Sequence, residues 1–289
     1  MSVEAHSCGR SVFKHNNENR WLPYLMFKHT NLEEKMPVKV LEQYSLPINN
    51  NLYGKPPLIY KEADTLLIPF MSDPKVISEL VPEPMEYVAE GLVSAQFNKY
   101  NTIGAGRSIE IFLNIPVTFQ GEAGTYIASA FLNNDRPMAA GREIWGFEKK
   151  LAQCEFEEKN DGIVYSSAER GGSVMQKGSV ERKEIPTPEE LEGGSLVYFC
   201  VKLIPSVEEN APPDVAQLTR TELTDYNAIS IEKGPASLEF PMSPASFLHT
   251  VPILDVLGGY YTQWGCTLGY GTVVHDYLKP KKSARAKKS

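Results

Sequence analysis

A mainly β, antiparallel single domain with a few peripheral helices is what this sequence predicts, closed as a barrel or a sandwich. Three observations carry the prediction. Short runs rich in β-branched and aromatic residues recur from residue 65 to residue 278. Gly, Pro, Asn and Asp bound them, with Gly121, Gly124, Gly171, Gly172, Gly193 and Gly194 as turn punctuation. Helical periodicity is confined to a few short stretches, and no 20–50-residue repeat is present. Runs of strands without alternating long helices describe an antiparallel sheet folded on itself.

In chain order, the expected strands are TLLIPF (65–70), GLVSAQF (91–97), SIEIFLNIPVTF (108–119) and TYIASAFL (125–132). They continue with GIVYSSAE (162–169), SLVYFCVKLI (195–204) and TVVHDYL (272–278). DPKVISELV (73–81) reads as a helix capped by Asp73 and stopped before Pro82. TPEELEG (187–193) reads as a short polar turn with a proline at its start. RPMAAGREIWGFEKK (136–150) offers a third helical stretch, limited by Gly141 and Gly146.

The first 35 residues are polar with scattered aromatics and lack the basic-then-apolar order of a secretory signal. They read as a poorly ordered extension, with the domain spanning 36–279 and a basic, solvated tail at 280–289. A net charge of −7 argues against nucleic acid as a partner, and no run reaches the ~18 apolar residues of a membrane helix. Cys8, Cys154, Cys200 and Cys266 form no CxxC pair and read as reduced thiols of a cytoplasmic protein. His6, His15, His29, His249 and His275 show no ligand spacing, so no metal site is expected.

GAGRS (104–108) lacks the spacing of a phosphate loop and reads as a hairpin turn, and no GxSxG elbow occurs. GREIWGFEKKL (141–151) differs from both. It sets two adjacent lysines, Lys149 and Lys150, beside Ile144, Trp145, Phe147 and Leu151. A Lys-Lys pair is ordinarily a solvated surface, but aromatic company favours a desolvated amine.

That segment resembles the active-site segment of acetoacetate decarboxylases: Gly-Arg-Glu, then an aromatic residue, one further residue and Lys-Lys-Leu. VPEPME (81–86), IPVTF (115–119), FLNN (131–134), VKLIP (201–205), GPASL (234–238) and VVHDYLK (273–279) are similar to other segments of that family in the same order. The resemblance spans Tyr53 to Lys279. It implies an antiparallel β-barrel or cone and a lyase that forms a Schiff base with a small β-keto acid. It further implies no metal or organic cofactor and a homo-oligomer.

Residue by residue, it makes Lys149 the Schiff-base lysine, Lys150 its basic neighbour, Glu110 an active-site carboxylate that carries protons, and Phe147 an aromatic of the pocket. Two positions depart. Gln96 stands where the family has a second glutamate, and a family arginine falls near Ala63, with Lys61 the nearest basic residue. Substrate contacts are therefore expected from Gln96, Phe147 and Trp145. Acetoacetate or a close β-keto acid remains the leading substrate. The first alternative is an aldolase-dehydratase using the same lysine on a pyruvate-like keto acid, and the second is a barrel that binds a small ligand without catalysis. Arg142 and Glu143 read as an ion pair bracing the lysine loop.

The chemistry explains the residue types. A β-keto acid loses CO2 slowly until a protonated imine at the ketone carbon accepts the electrons left behind. Forming that imine takes a neutral amine, and an ordinary lysine, with a pKa of about 10.4, is neutral in only about one molecule in 2,500 at pH 7. Acetoacetate decarboxylases are themselves a standard case of a lysine activated by desolvation or a neighbouring cation, so this expectation comes with the resemblance. On an extended segment successive side chains leave on opposite faces, so a solvent-facing Lys150 repels only weakly. Desolvation by Trp145 and Phe147 is the expected main cause.

Overall fold

The computed structural model describes residues 38–159, 161–187 and 195–279. The expectations for residues 1–35, for the 280–289 tail and for nearly all of the 187–193 turn lie outside the described residues.

Alternating apolar residues build the strands β1 (Leu58–Met71), β2 (Glu86–Tyr87), β3 (Leu92–Ile103), β4 (Gly106–Phe119) and β5 (Glu122–Leu132). Then come β6 (Lys149–Leu151), β7 (Gln153–Glu158), β8 (Ile163–Arg170) and β9 (Ser173–Glu181). The last described strands are β10 (Val197–Ile204), β11 (Val215–Gly234), β12 (Ala236–Glu239), β13 (Asp255–Val256), β14 (Gly259–Leu268) and β15 (Thr272–Asp276). Every stretch read as extended lies largely within one of these. The helix α1 (Pro74–Glu79) begins at Asp73, whose carboxylate accepts from the backbone N–H groups of Lys75 and Val76. A cap of this kind contributes about 1 kcal/mol.

Hydrogen-bonded neighbours run β4-β3-β1-β14-β11-β10-β5, and β5 pairs again with β4, so the pairings close into a ring. The mainly β class agrees with the expectation, but the sheet is not antiparallel throughout. β10 and β6 both lie parallel to β5, along the edge that β4 leaves free, β10 beside Thr125 and Tyr126 and β6 beside Ala130 to Leu132. Parallel neighbours need a long crossover, and both have one. Between β5 and β6 the chain passes through the helix α2 (Asp135–Ala140); between β5 and β10 it also builds β7–β9.

A second sheet, ordered β12-β9-β8-β7, covers one face of this ring. Strand periodicity decides what meets it. Ala95 and Phe97 of β3 and Ile111, Leu113 and Ile115 of β4 pack with Leu66 and Ile68 of β1 against Val164, Ala168, Met175 and Val180. Each large apolar side chain removed from water here contributes about 1.5–3 kcal/mol. The intervening residues Gln96, Asn98 and Tyr100 of β3 and Glu110, Phe112 and Asn114 of β4 have the opposite parity. They face the inside of the ring, and there the functional groups lie.

Among the described residues Cys154, Cys200 and Cys266 are buried free thiols. No described helix is long and apolar enough to cross a membrane.

Candidate active site

A short, irregular passage aims Lys149 inward. α2 is capped by Asn134, whose side chain accepts from Arg136 N–H, and runs straight into a π-helical turn, Gly141–Trp145. Gly146 ends that turn at φ 93°, and a Cβ there would sit 2.6 Å from the Lys202 backbone, so glycine is required twice over. The chain then enters β6, where Lys149 pairs with Ala130 of β5. Arg142 fixes this register by donating to the Lys149 carbonyl at 3.1 Å. Glu143 instead accepts from the Tyr53 hydroxyl. The two residues expected to pair with each other therefore brace the segment through separate partners.

Lys149 is 6% exposed and Glu110 2% exposed. Lys149 Nζ lies 2.8 Å from Glu110 Oε2 and donates to the Pro137 carbonyl at 3.3 Å. The Phe147 ring centroid is 5.6 Å from the amine. Gly141 lies flush against the lysine stem, since a Cβ there would be 2.7 Å from Lys149 Cδ and 3.3 Å from Nζ. The other carboxylate oxygen of Glu110 accepts from Ser108 Oγ at 3.1 Å, and Asn98 Nδ2 donates to the Glu110 carbonyl at 3.1 Å. The amine is thus held by a carboxylate, a carbonyl and one aromatic ring. Of the two aromatic walls expected from sequence, Phe147 alone is beside the amine.

A chain of neutral polar groups continues along the same face. Trp264 Nε1 donates to Thr65 Oγ1 at 2.9 Å, and Thr65 donates to Asn98 Oδ1 at 2.8 Å. Gln96 Nε2 donates to the same Asn98 oxygen at 2.8 Å, while Asn114 Nδ2 donates to Gln96 Oε1 at 2.6 Å. The Asn114 side-chain oxygen is buried without a partner. Tyr60, Tyr100 and Trp264 stack edge-on or tilted beside this chain, with centroids 4.8–6.1 Å apart. Burial, and secondarily the charge of Glu110, pushes the Tyr60 and Tyr100 phenols well above their ordinary range, so both remain hydrogen-bond donors at neutral pH.

Tyr60, Thr65, Gln96, Tyr100, Asn114 and Trp264 line a cavity of about 440 Å³. Lys149, Glu110, Gln96 and Phe147 are all in its wall. Trp145 is not: its indole is buried, donates to the Gly269 carbonyl at 3.0 Å and packs behind Phe147. Lys150 leaves β6 on the opposite face and is exposed, as strand alternation requires. Ala63 is fully buried, and the exposed Lys61 is outside the cavity lining. Asn98, Asn114, Tyr60 and Tyr100 escaped the sequence reading, and Gly141 entered it without its contact to the lysine stem. The signal for the two asparagines was parity, since they share a strand face with Gln96 and Glu110.

The acetoacetate decarboxylase family model matches residues 45–278. The chain belongs to the acetoacetate decarboxylase family. Acetoacetate decarboxylase 2 of Mesorhizobium japonicum is 32% identical over 245 residues, 84% of this chain and 92% of its own length. Acetoacetate decarboxylase 1 of Bradyrhizobium diazoefficiens is 31% identical over 239 residues, 81% of this chain and 94% of its own. The crystal structure of acetoacetate decarboxylase from Legionella pneumophila superposes with a TM-score of 0.76 at 28% identity, covering 86% of this chain and all of that one. A fold neighbour at 18% identity is the enduracididine biosynthesis enzyme MppR complexed with pyruvate, with a TM-score of 0.71 over 81% of this chain and 98% of that one.

Membership makes the protein an enzyme of the lyase class. Within that family frame the charges of this cavity are few. Among the described lining residues Lys149 is the one cation and Glu110 the one anion.

Proposed function

We propose that the protein decarboxylates a β-keto acid through an imine on Lys149, with acetoacetate, named by its relatives, as the simplest substrate. The observation that carries this reading is the buried Lys149–Glu110 contact of 2.8 Å at the cavity wall. Such a pair shares one proton. With the proton on Glu110 the amine is neutral and attacks the ketone carbon, and the ketone oxygen takes up the proton as a hydroxyl. Glu110, re-protonated from the carbinolamine nitrogen, gives that proton to the departing hydroxyl, which leaves as water.

The resulting iminium draws the electrons of the breaking C–C bond toward nitrogen, CO2 departs, and an enamine remains. Protonation of the enamine carbon and attack by water then return the ketone and the free lysine. Phe147 and the Gly141 backbone keep the stem of Lys149 in one position throughout, which is worth more than any flexible amine. Tyr60 and Tyr100 supply neutral donors for the substrate carboxylate.

The ketone oxygen of the substrate is lost as water in this sequence, so the product ketone takes its oxygen from solvent. Turnover of acetoacetate in 18O-water, quenched early, is expected to give acetone labelled in every enzymatic turnover. Unlabelled acetone above the spontaneous background would remove the imine from the account.

A second reading has a specific observation behind it. Acetoacetate has seven non-hydrogen atoms, which need at most about 200 Å³ at water's liquid share of ~30 Å³ each, and the cavity holds about 440 Å³. That space admits two reactants, as in an aldol condensation of a pyruvate-like acid with an aldehyde followed by loss of water. Enal formation from pyruvate plus an aldehyde, measured beside CO2 release from acetoacetate, separates the two.

A further inference from the structure

The cavity lining extends well beyond the residues next to the lysine. The cavity wall follows β4 from Glu110 through Phe112 and Asn114 to Pro116. At about 3.3 Å per residue that wall is ~20 Å long. On β5, the hydrogen-bonded neighbour of β4, the lining runs the same way, from Lys149 beside Ala130, through Ile127, to Thr125 and Ala123. Lys149 and Glu110 thus stand at the inner end of an arm of the cavity, a channel that runs along β4 and β5, with Tyr60 and Tyr100 lining the cavity on the other side of the pair. The channel's far end carries Val88, which is 54% exposed, together with Ala123, Ser195 and Leu196.

Between those ends the channel offers no charge. The lining from Asn114 outward is Pro116, Val117, Ile127, Leu196 and Leu223 with Thr125 among them, all apolar or neutral. A methyl group on the keto carbon leaves this wall facing water. A longer apolar group displaces that water and buries both surfaces.

We propose that the channel selects β-keto acids whose keto carbon bears an extended apolar chain, the medium-chain 3-oxo acids, over acetoacetate. The inference rests on the imine chemistry at Lys149 and adds to it the substrate's tail. The carbonyl carbon is placed at Lys149 Nζ, and the chain lies along β4 and β5 toward Val88. No further charge on the substrate has a counterion there, so dicarboxylic acids are excluded.

The test is the ratio of kcat/KM for acetoacetate, 3-oxohexanoate and 3-oxodecanoate, each corrected for spontaneous decarboxylation, with borohydride trapping run in parallel. Burying each methylene raises kcat/KM about fourfold, so 3-oxodecanoate is expected to exceed acetoacetate by about a hundredfold or more. Thr125→Trp narrows the channel away from the lysine and is expected to lower the 3-oxodecanoate-to-acetoacetate ratio at least about tenfold; Leu196→Trp, at the more exposed end, gives an independent version should Thr125→Trp not fold. A kcat/KM that stays flat or falls with chain length, while acetoacetate is still trapped on Lys149, overturns the channel and leaves the imine standing. Turnover without any trapped adduct, for any of the three acids, overturns both.

Discussion

The two faces of β4 share a backbone and differ in almost everything else. Ile111, Leu113 and Ile115 enter a dry interior between the ring and the second sheet. Glu110, Phe112 and Asn114, one residue out of step, enter a cavity that needs polar groups. On the first face, large side chains pack into an apolar cluster, and the return is stability. On the second, a buried lysine and glutamate sit 2.8 Å apart, an arrangement seldom more stabilising than well-packed hydrocarbon. The difference teaches that a strand can hold the fold with one parity and the chemistry with the other.

Substitutions on each face sharpen that division. The largest effect is expected from Lys149→Met, which removes the nucleophile: kcat should fall by about 10⁴-fold or more. It also strands Glu110 without its partner, at a cost of about 3–5 kcal/mol in urea unfolding. Next, Glu110→Gln keeps the size of the side chain but removes the proton acceptor, and kcat is expected to drop by about 10²–10⁴-fold. Leu113→Ala, on the opposite face, should cost about 2–5 kcal/mol of stability while kcat/KM per folded molecule stays within about twofold. A large loss of kcat/KM there would erase the distinction between the faces.

Gly141→Ala falls between the two classes. Its new methyl would lie 2.7 Å from Lys149 Cδ and must push the stem aside. A displacement near 1 Å costs about 10²-fold in rate, so steady-state kinetics should show that loss with little change in unfolding.

The smallest expected effect is at Glu148, just before the lysine. Burial raises its carboxyl above the ordinary 4.5, with the Tyr126 hydroxyl, Arg142 and Lys150 only partly offsetting this. In the acid range just above 4.5 the folded state therefore holds more protons than the unfolded state. The group's contribution is fully present below the unfolded value and is lost as pH rises through the raised folded value. Glu148→Gln should accordingly gain stability relative to the native chain at pH 7 and show no such gain at pH 4, read from paired urea titrations.

Much of the fold was legible because β1, β3, β4, β5, β8 and β10 carry β-branched or aromatic residues between turn formers. β11 was not, although it is the longest of the described strands. Its second half, around Thr224, Asp225, Tyr226 and Asn227, is exposed, so no apolar alternation marks it. Asp225 interrupts it further at φ 53°. The parallel placement of β6 and β10 was equally hidden, since it depends on crossovers rather than on either strand's residues.

At the site, the family resemblance brought Lys149, Glu110, Gln96 and Phe147 into view, and all four line the cavity. Alternation with Ile109 and Ile111 could not by itself have marked Glu110, because a sequence gives the face of a strand but not what lies opposite it. Trp145 was misplaced for a related reason. The π turn rotates it away from the face that Phe147 and Lys149 share, and its N–H finds the Gly269 carbonyl instead.

Reduction of the enzyme with borohydride during turnover of acetoacetate, followed by peptide mapping, addresses the central claim most directly. The account predicts a reduced adduct on the peptide containing Lys149, assigned to that residue by fragmentation and absent from the Lys149→Met protein. Continued turnover with no adduct, or with the adduct on Lys150, would contradict it.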